Sequence, residues 1–217
     1  MSLSPSQFRE QEYSYLPLGF YIDRIKMEIL YGEKIMLHHK GTQEIRTQRL
    51  VLQRYKLSDA QYMYKNYAAD KRVTRFLNWE PYTCIEDVEV FLNEVITSYE
   101  KKDTYHWAII YEGEIIGAIS AWAINEINCN CEVGYNIGYD YWNKGIMTEA
   151  LSAVIQYMFD EVHMHRILAK HDVDNPASGR VMQKCGIKQE GSFRQYYLHD
   201  DGTYSDSVLY SILENER

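Results

Sequence analysis

From Arg46 onward the apolar positions fall into regular patterns. RLVLQRY alternates apolar and polar residues, as a half-buried strand does, and a helix follows through SDAQ, where Ser58 and Gln61 have capping-box spacing. That helix is expected to run to about Ala69. Thr83 and Glu86 repeat the spacing ahead of a longer helix, whose positions Ile85, Val88, Phe91, Leu92, Val95, Ile96 and Tyr99 share one face that must be buried. HWAIIY and EIIGAISAWAI, joined at Glu112 and Gly113, read as a hairpin apolar enough for the middle of a sheet. CEVGYNIGY is a further strand and leads through YWNKGIMTEA into a helix with Leu151, Val154, Ile155 and Met158 on one side. RILAKH, the turn and helix in DVDNPASGRVMQKCG, and the final strands IKQEGSFRQYY and TYSDSVLYSIL around Asp201 and Gly202 complete the order. Strands alternating with helices, with hairpins added, indicate a mixed α/β sheet.

Residues 1–44 stand apart as an N-terminal extension. FYIDRIKMEIL and KIMLHHK around YGE suggest a hairpin there, and residues 45–217 form the regular domain. The length of 217 residues suits one domain with something attached. The longest apolar or small run, IIGAISAWAI, is about half of what a membrane-spanning helix needs. The polar first fifteen residues lack a signal core, so the expected location is the cytoplasm, with no membrane partner. The four cysteines are irregularly spaced and read as reduced. A net charge of −8 argues against a nucleic-acid partner and favours a cationic one.

Chemistry is expected at two strand-to-helix junctions. Asn143, Lys144, Gly145, Ile146 and Met147 occupy the first, where amides at a helix start lack internal acceptors and the dipole is positive, so an anion such as phosphate can bind. One glycine makes neither a phosphate loop nor a dinucleotide fingerprint, and on pattern alone a plain turn is the simpler reading. At the second junction Asn175 is a natural N-cap, Pro176 fits the first helical position and Gly186 the residue past the end. Two adjacent units of this kind leave a crevice at the strand ends.

In this order the segments TQRLVLQRYKLSDA, EVGYNIGYDYWNKGIMTEAL and NPASGRVMQKCGIKQEGSFRQYYLHDDGTYSDSVLYSIL resemble the GNAT superfamily of acetyl-coenzyme A-dependent N-acetyltransferases, in its branch of ribosomal-protein N-terminal acetyltransferases. The resemblance covers about 170 residues. It implies a mostly antiparallel central sheet with one splayed strand pair and helices on both faces. It also implies an enzyme that moves acetyl from acetyl-CoA directly to a primary amine, through a ternary complex. By the same resemblance Trp142, Asn143, Lys144, Gly145, Ile146, Met147 and Thr148 hold the pyrophosphate, Ile137, Gly138 and Tyr139 present backbone to the pantetheine arm, and Asn175, Ser178 and Lys184 form the second binding motif. Trp142 stands where the family favours Arg or Gln, and Met147 where a small residue is usual. Met182 replaces a frequent tyrosine acid, which leaves protonation of the departing thiolate to Ser178.

Amine acetylation needs a neutral nucleophile, so a group must take its proton. Deprotonating an α-amine of pKa near 8 costs about 1 kcal/mol at pH 7, against about 5 kcal/mol for a lysine near 10.4. Glu132 is the candidate acceptor of that proton through water, with a solvent-facing carboxylate as the plain alternative. Tyr197 stands where some relatives carry a carboxylate, and lines the acceptor pocket. Glu149 fits the dipole of its helix. The expected acceptor is a protein N-terminus, with a polyamine or aminoglycoside, or a catalytically idle coenzyme-binding module, as alternatives. No metal is expected, because Cys129, Cys131, His163 and His165 lack zinc-site spacing. A homodimer stays open.

Overall fold

The structure is a computed structural model, and it describes residues 37–199 and 202–217. The hairpin expected in residues 1–44 lies almost wholly outside the described residues, as does Asp201 of the last turn. The compact unit spans Leu37–Arg217. Its first residues run along the sheet: Leu37 is buried, the Thr42 hydroxyl donates to the Thr104 carbonyl (2.9 Å), and the Trp107 indole donates to the Gln43 carbonyl (2.7 Å).

Eight strands form one sheet: β1 (Ile45–Arg46), β2 (Leu50–Gln53), β3 (Tyr105–Tyr111), β4 (Glu114–Asn125), β5 (Asn130–Ile137), β6 (Arg166–Asp172), β7 (Lys188–Leu198) and β8 (Tyr204–Leu213). Their order is β1-β2-β3-β4-β5-β6-β8-β7, and every pair is antiparallel except β5 with β6. The mixed, mostly antiparallel sheet expected from the sequence is therefore present. On one face α4 (Ile146–Asp160) and α5 (Pro176–Lys184) pack on alternate residues of the central strands, including Trp107, Ile119, Cys131, Val133, Ile167 and Ala169. The four residues expected on the buried side of α4 are all at most 5% exposed.

The other face carries α1 (Ala60–Met63), α2 (Lys71–Thr74) and α3 (Ile85–Ser98), packed over Ala108, Ile115 and Ala118. Both expected helix starts shift. The carboxylate that caps the first is Asp59, which accepts the Lys56 amide at 2.7 Å, in place of the Ser58 and Gln61 pair. A 3-10 turn at Leu57–Asp59 precedes α1, and one π turn at Tyr64–Ala68 ends it. For α3 the capping residue is Cys84, not Thr83. These helices meet the sheet on β3 and β4.

Candidate functional site

The two edges of β5 are unlike. Toward β4 it is paired from Asn130 to Ile137, interrupted by a bulge. Toward β6 it is paired only at Asn130, Cys131 and Glu132. Past Glu132 the strands diverge, and β6 continues to Asp172 with β8 as its only partner. Buried backbone groups must be paired with something, so residues 133–137 present an edge that calls for water or a ligand. This is the splayed pair that the resemblance implied. The Asn136 side-chain oxygen is buried here without a hydrogen-bond partner, an acceptor awaiting a donor.

At the far end of that edge the chain turns through residues 138–145 into α4. Asn143 (φ 59°) and Gly145 (φ 74°) both take left-handed backbone, which curls the loop and leaves the amides at the α4 start facing outward. The first amide bound within the helix is that of Glu149, to the Gly145 carbonyl at 3.1 Å. Asn143, Lys144 and Gly145 are exposed, whereas the side chains of Ile146 and Met147 are buried in the core. Met147 therefore offers the loop only its amide, and its bulk does not crowd the anion site. Arg49 braces the loop by donating to the Lys144 carbonyl (3.0 Å) and pairing with Glu149 (2.7 Å), which also accepts the Thr47 hydroxyl (2.6 Å). Burial alone would raise the Glu149 carboxyl, but the Thr47 and Arg49 hydrogen bonds outweigh it and hold the group below its ordinary range.

Two predicted contacts have a different local setting. A side chain at Gly138 would strike the Asn66 carbonyl of the π turn, so that glycine serves the packing of α1 on the strand end. The Trp142 indole donates to the Ile137 carbonyl at 2.9 Å and so occupies the last acceptor of the β5 edge. Tyr139 lies between Trp142, 4.9 Å away between ring centroids, and the Arg72 guanidinium, 3.8 Å from its ring centroid.

Across the divergence, α5 starts where expected: Asn175 accepts the Ser178 amide (3.4 Å), and Pro176 follows at the first helical position. The Asn175 backbone amide donates to the Asp172 carbonyl (2.8 Å), whereas its side-chain nitrogen has no hydrogen-bond partner among the described residues. The Ser178 hydroxyl meets the Tyr135 hydroxyl at 3.0 Å, and that phenol is also within 3.0 Å of the Ser178 carbonyl. Burial pushes the Tyr135 phenol far above its usual range, so it remains a neutral donor. Sequence patterning gave no reason to single out Tyr135, since an aromatic residue in a strand is ordinary. Met182 is 1% exposed and lies in the core, away from the cleft. Lys184 is exposed in the last turn of α5, at the opposite end from Asn175 and Ser178.

Glu132 lies on the other face of β5, because strand side chains alternate and its neighbours Cys131 and Val133 point into the α4 core. It pairs with Lys170 of β6 at 3.0 Å, and Lys170 also donates to the Tyr196 hydroxyl at 2.8 Å. Burial lowers the Lys170 ammonium's affinity for its proton, but the hydrogen bonds with Tyr196 and Glu132 outweigh it and leave the group above its ordinary range. Tyr197 packs edge-on against Tyr196 at 5.0 Å. Burial raises its phenol above the normal value. The structure thus gathers Glu132, Lys170, Tyr196 and Tyr197 on one side of the gap, and Tyr135, Asn175 and Ser178 on the other. Lys170 is a second member that the sequence did not reveal, since it is 38 positions from Glu132 and meets it only through the parallel β5 and β6 rungs.

Among the described residues, Asp172, Asp174 and His199 are the side chains grouped closely enough to hold a metal ion. The Asp172 oxygens are already engaged by the Asp174 amide (2.8 Å) and the Ser205 hydroxyl (2.5 Å), with His199 at 3.3 Å, so the group ties the β6 end to the β7–β8 hairpin. No helix among the described residues is long and apolar enough to cross a membrane.

A strand edge opened toward a braced helix start leaves backbone donors and acceptors facing one groove. The sequence model of the acetyltransferase (GNAT) domain matches residues 49–188. An uncharacterised N-acetyltransferase of Bacillus subtilis (strain 168) is 31% identical over 172 residues, which are 78% of this chain and 96% of that protein. The ribosomal protein uS5-alanine N-acetyltransferase of Escherichia coli (strain K12) is 40% identical over 82 residues, 38% of this chain and 42% of that enzyme. The crystal structure of a GNAT-family acetyltransferase from Bacillus anthracis shares 28% identity and a TM-score of 0.70, covering 80% of this chain and all of that one. The chain belongs to the GNAT acetyltransferase family and is an N-acetyltransferase that uses acetyl-CoA.

Proposed function

We propose that the protein acetylates the α-amine of a protein N-terminus, of the ribosomal-protein type, in a ternary complex with acetyl-CoA. The observation that carries this reading is the gap between β5 and β6, with a hydroxyl pair on one side and a carboxylate on the other. The residues fit the donor. Amides at the α4 start suit the diphosphate, the free β5 edge suits the amide-bearing arm, and the unpartnered side-chain oxygen of Asn136 and side-chain nitrogen of Asn175 offer one acceptor and one donor along it. When bound, acetyl-CoA supplies an activated acyl group and a thiolate leaving group.

The chain's own residues manage protons and orientation. Glu132 receives the amine's proton through water, and the Lys170 ammonium beside it offsets the carboxylate's charge in a half-buried setting. Ser178, fixed by Tyr135, stands across the gap to donate its hydroxyl proton toward the departing sulfur and to recover one through water from the nitrogen that has attacked, while the Tyr135 phenol stays neutral and holds the serine in place. Tyr197 lines the acceptor's approach. An α-amine asks about 3 to 4 kcal/mol less of this base than a lysine does at pH 7, which suits a carboxylate already compensated by a cation.

Thiol release tests the reading with a panel of free N-terminal peptides, their N-acetylated counterparts, spermidine and an aminoglycoside. Turnover of free peptides alone is the expected result. Turnover of the polyamine or aminoglycoside alone would reassign the acceptor, and silence toward every amine would make the chain a coenzyme-binding module.

A further inference from the structure

Trp122 stands directly opposite Glu132 on the β4–β5 pair and is a large apolar residue left partly exposed. It is 44% exposed at a point where β4 has just lost its β3 partner, whose last paired residue is Tyr105, opposite Ala121. Ala123 follows it at φ 51°, a left-handed value that costs a non-glycine residue energy, and the register with β5 slips between Trp122 and Asn125. A bulge of this kind re-aims the side chain before it. The indole is laid across the backbone of Gly134, where an added Cβ would come within 2.8 Å of Cζ3. A side chain at that position would push the ring aside. Gly134 is two residues past the last β5–β6 rung, so the ring lies beside the mouth of the gap, on the face that carries Glu132.

On the β3 side of the ring is an open hollow of about 490 Å³, lined by Asp103, Thr104, His106, Ser120, Trp122 and their neighbours. Asp103 is the one charged group of this lining, and it makes no ion pair among the described residues. Burial lowers His106 to about 4, so the imidazole is neutral at pH 7 and does not repel a cation. The strained bulge, the glycine beneath the ring and the anionic hollow beside it are independent features that converge on one position.

We infer that Trp122 is a specificity-determining residue: its indole is the wall over which the acceptor amine passes into the gap, while the acceptor's following residues lie in the hollow and favour a cationic side chain beside Asp103. This deepens the proposed function and rests on it for the identity of the acceptor. An arriving ammonium gains from the indole face, and the ring's flat surface orients the first residue without adding a competing charge. Trp122 acts on the acceptor alone and touches neither the α4 start nor Asn175.

The test compares Trp122→Ala, Trp122→Phe and Asp103→Asn with the wild type in steady-state kinetics, using two peptides that differ only in Lys or Ser at the second position, and spermidine. Acetyl-CoA affinity is measured in parallel by calorimetry. Trp122→Ala should raise the acceptor KM about tenfold with acetyl-CoA affinity within twofold of wild type, and Trp122→Phe should restore most of the loss. Asp103→Asn should raise KM for the Lys peptide severalfold and leave the Ser peptide unchanged. An unaltered acceptor KM in Trp122→Ala, or an equal fall in acetyl-CoA affinity, would overturn the inference. If the wild type accepts spermidine alone, the N-terminal reading fails and the wall is judged on the spermidine KM. An enzyme silent toward every amine overturns both.

Discussion

The two edges of β5 receive the same residues and meet opposite fates. Toward β4 the strand keeps its ladder from Glu132 to Ile137, and toward β6 it separates after three rungs. Nothing in the side chains of CEVGYNI distinguishes one edge from the other, because side chains point to the faces and pairing uses the backbone. What borders the open edge comes from another segment. The Ser178 end of α5 comes in beside β5, and the Tyr135 phenol spans the space to it. The lesson is that an open edge is set by what lies beside a strand's backbone, while the side chains of the strand stay ordinary.

Gly145→Pro attacks the open edge at its anion end and should have the largest effect. Proline cannot reach φ 74° and carries no N–H, so acetyl-CoA affinity measured by calorimetry should fall by about a hundredfold or more. Unchanged affinity would remove the loop from the donor site. Ser178→Ala keeps the Asn175 cap, which uses the backbone amide, and should lower kcat by about a hundredfold with little change in acetyl-CoA affinity. Tyr135→Phe should cost nearly as much, and the double variant little more than either alone, since the two hydroxyls act as a unit. Additive losses would separate them.

Asn175→Ala should act twice and more modestly. Loss of the cap costs about 1 kcal/mol of stability in chemical denaturation, and loss of the free amide raises the acetyl-CoA KM severalfold. The smallest effect concerns Glu149, whose carboxyl is held below its ordinary range in the folded protein. A depressed folded value stabilises the protein above the unfolded value and loses that contribution as pH falls through the folded one. Glu149→Gln should therefore lower the melting temperature slightly at pH 7, by less than about 1 kcal/mol in stability, and leave it unchanged near pH 2. A difference that persisted in acid would show that the Arg49 brace works through shape and not charge.

The strands and the two long helices were legible because periodicity follows burial, and Leu151, Val154, Ile155 and Met158 fall in the core as their spacing requires. Helix starts were less so: Asp59 and Cys84 displaced the residues with textual capping spacing, since competing caps one position apart look alike in a sequence. Asn175 and Ser178 were readable through local capping chemistry and the family resemblance. Tyr135, Lys170 and Trp122 were not, because each acquires its partner from a distant segment: Ser178, Glu132 and Gly134 respectively.

The indole of Trp142 caps the final carbonyl of the open edge at Ile137. Four residues, 133–136, remain between the last β6 rung and that cap, a stretch of about 13 Å at about 3.3 Å per residue. Only an extended group of about this length can pair with the open backbone without displacing the indole.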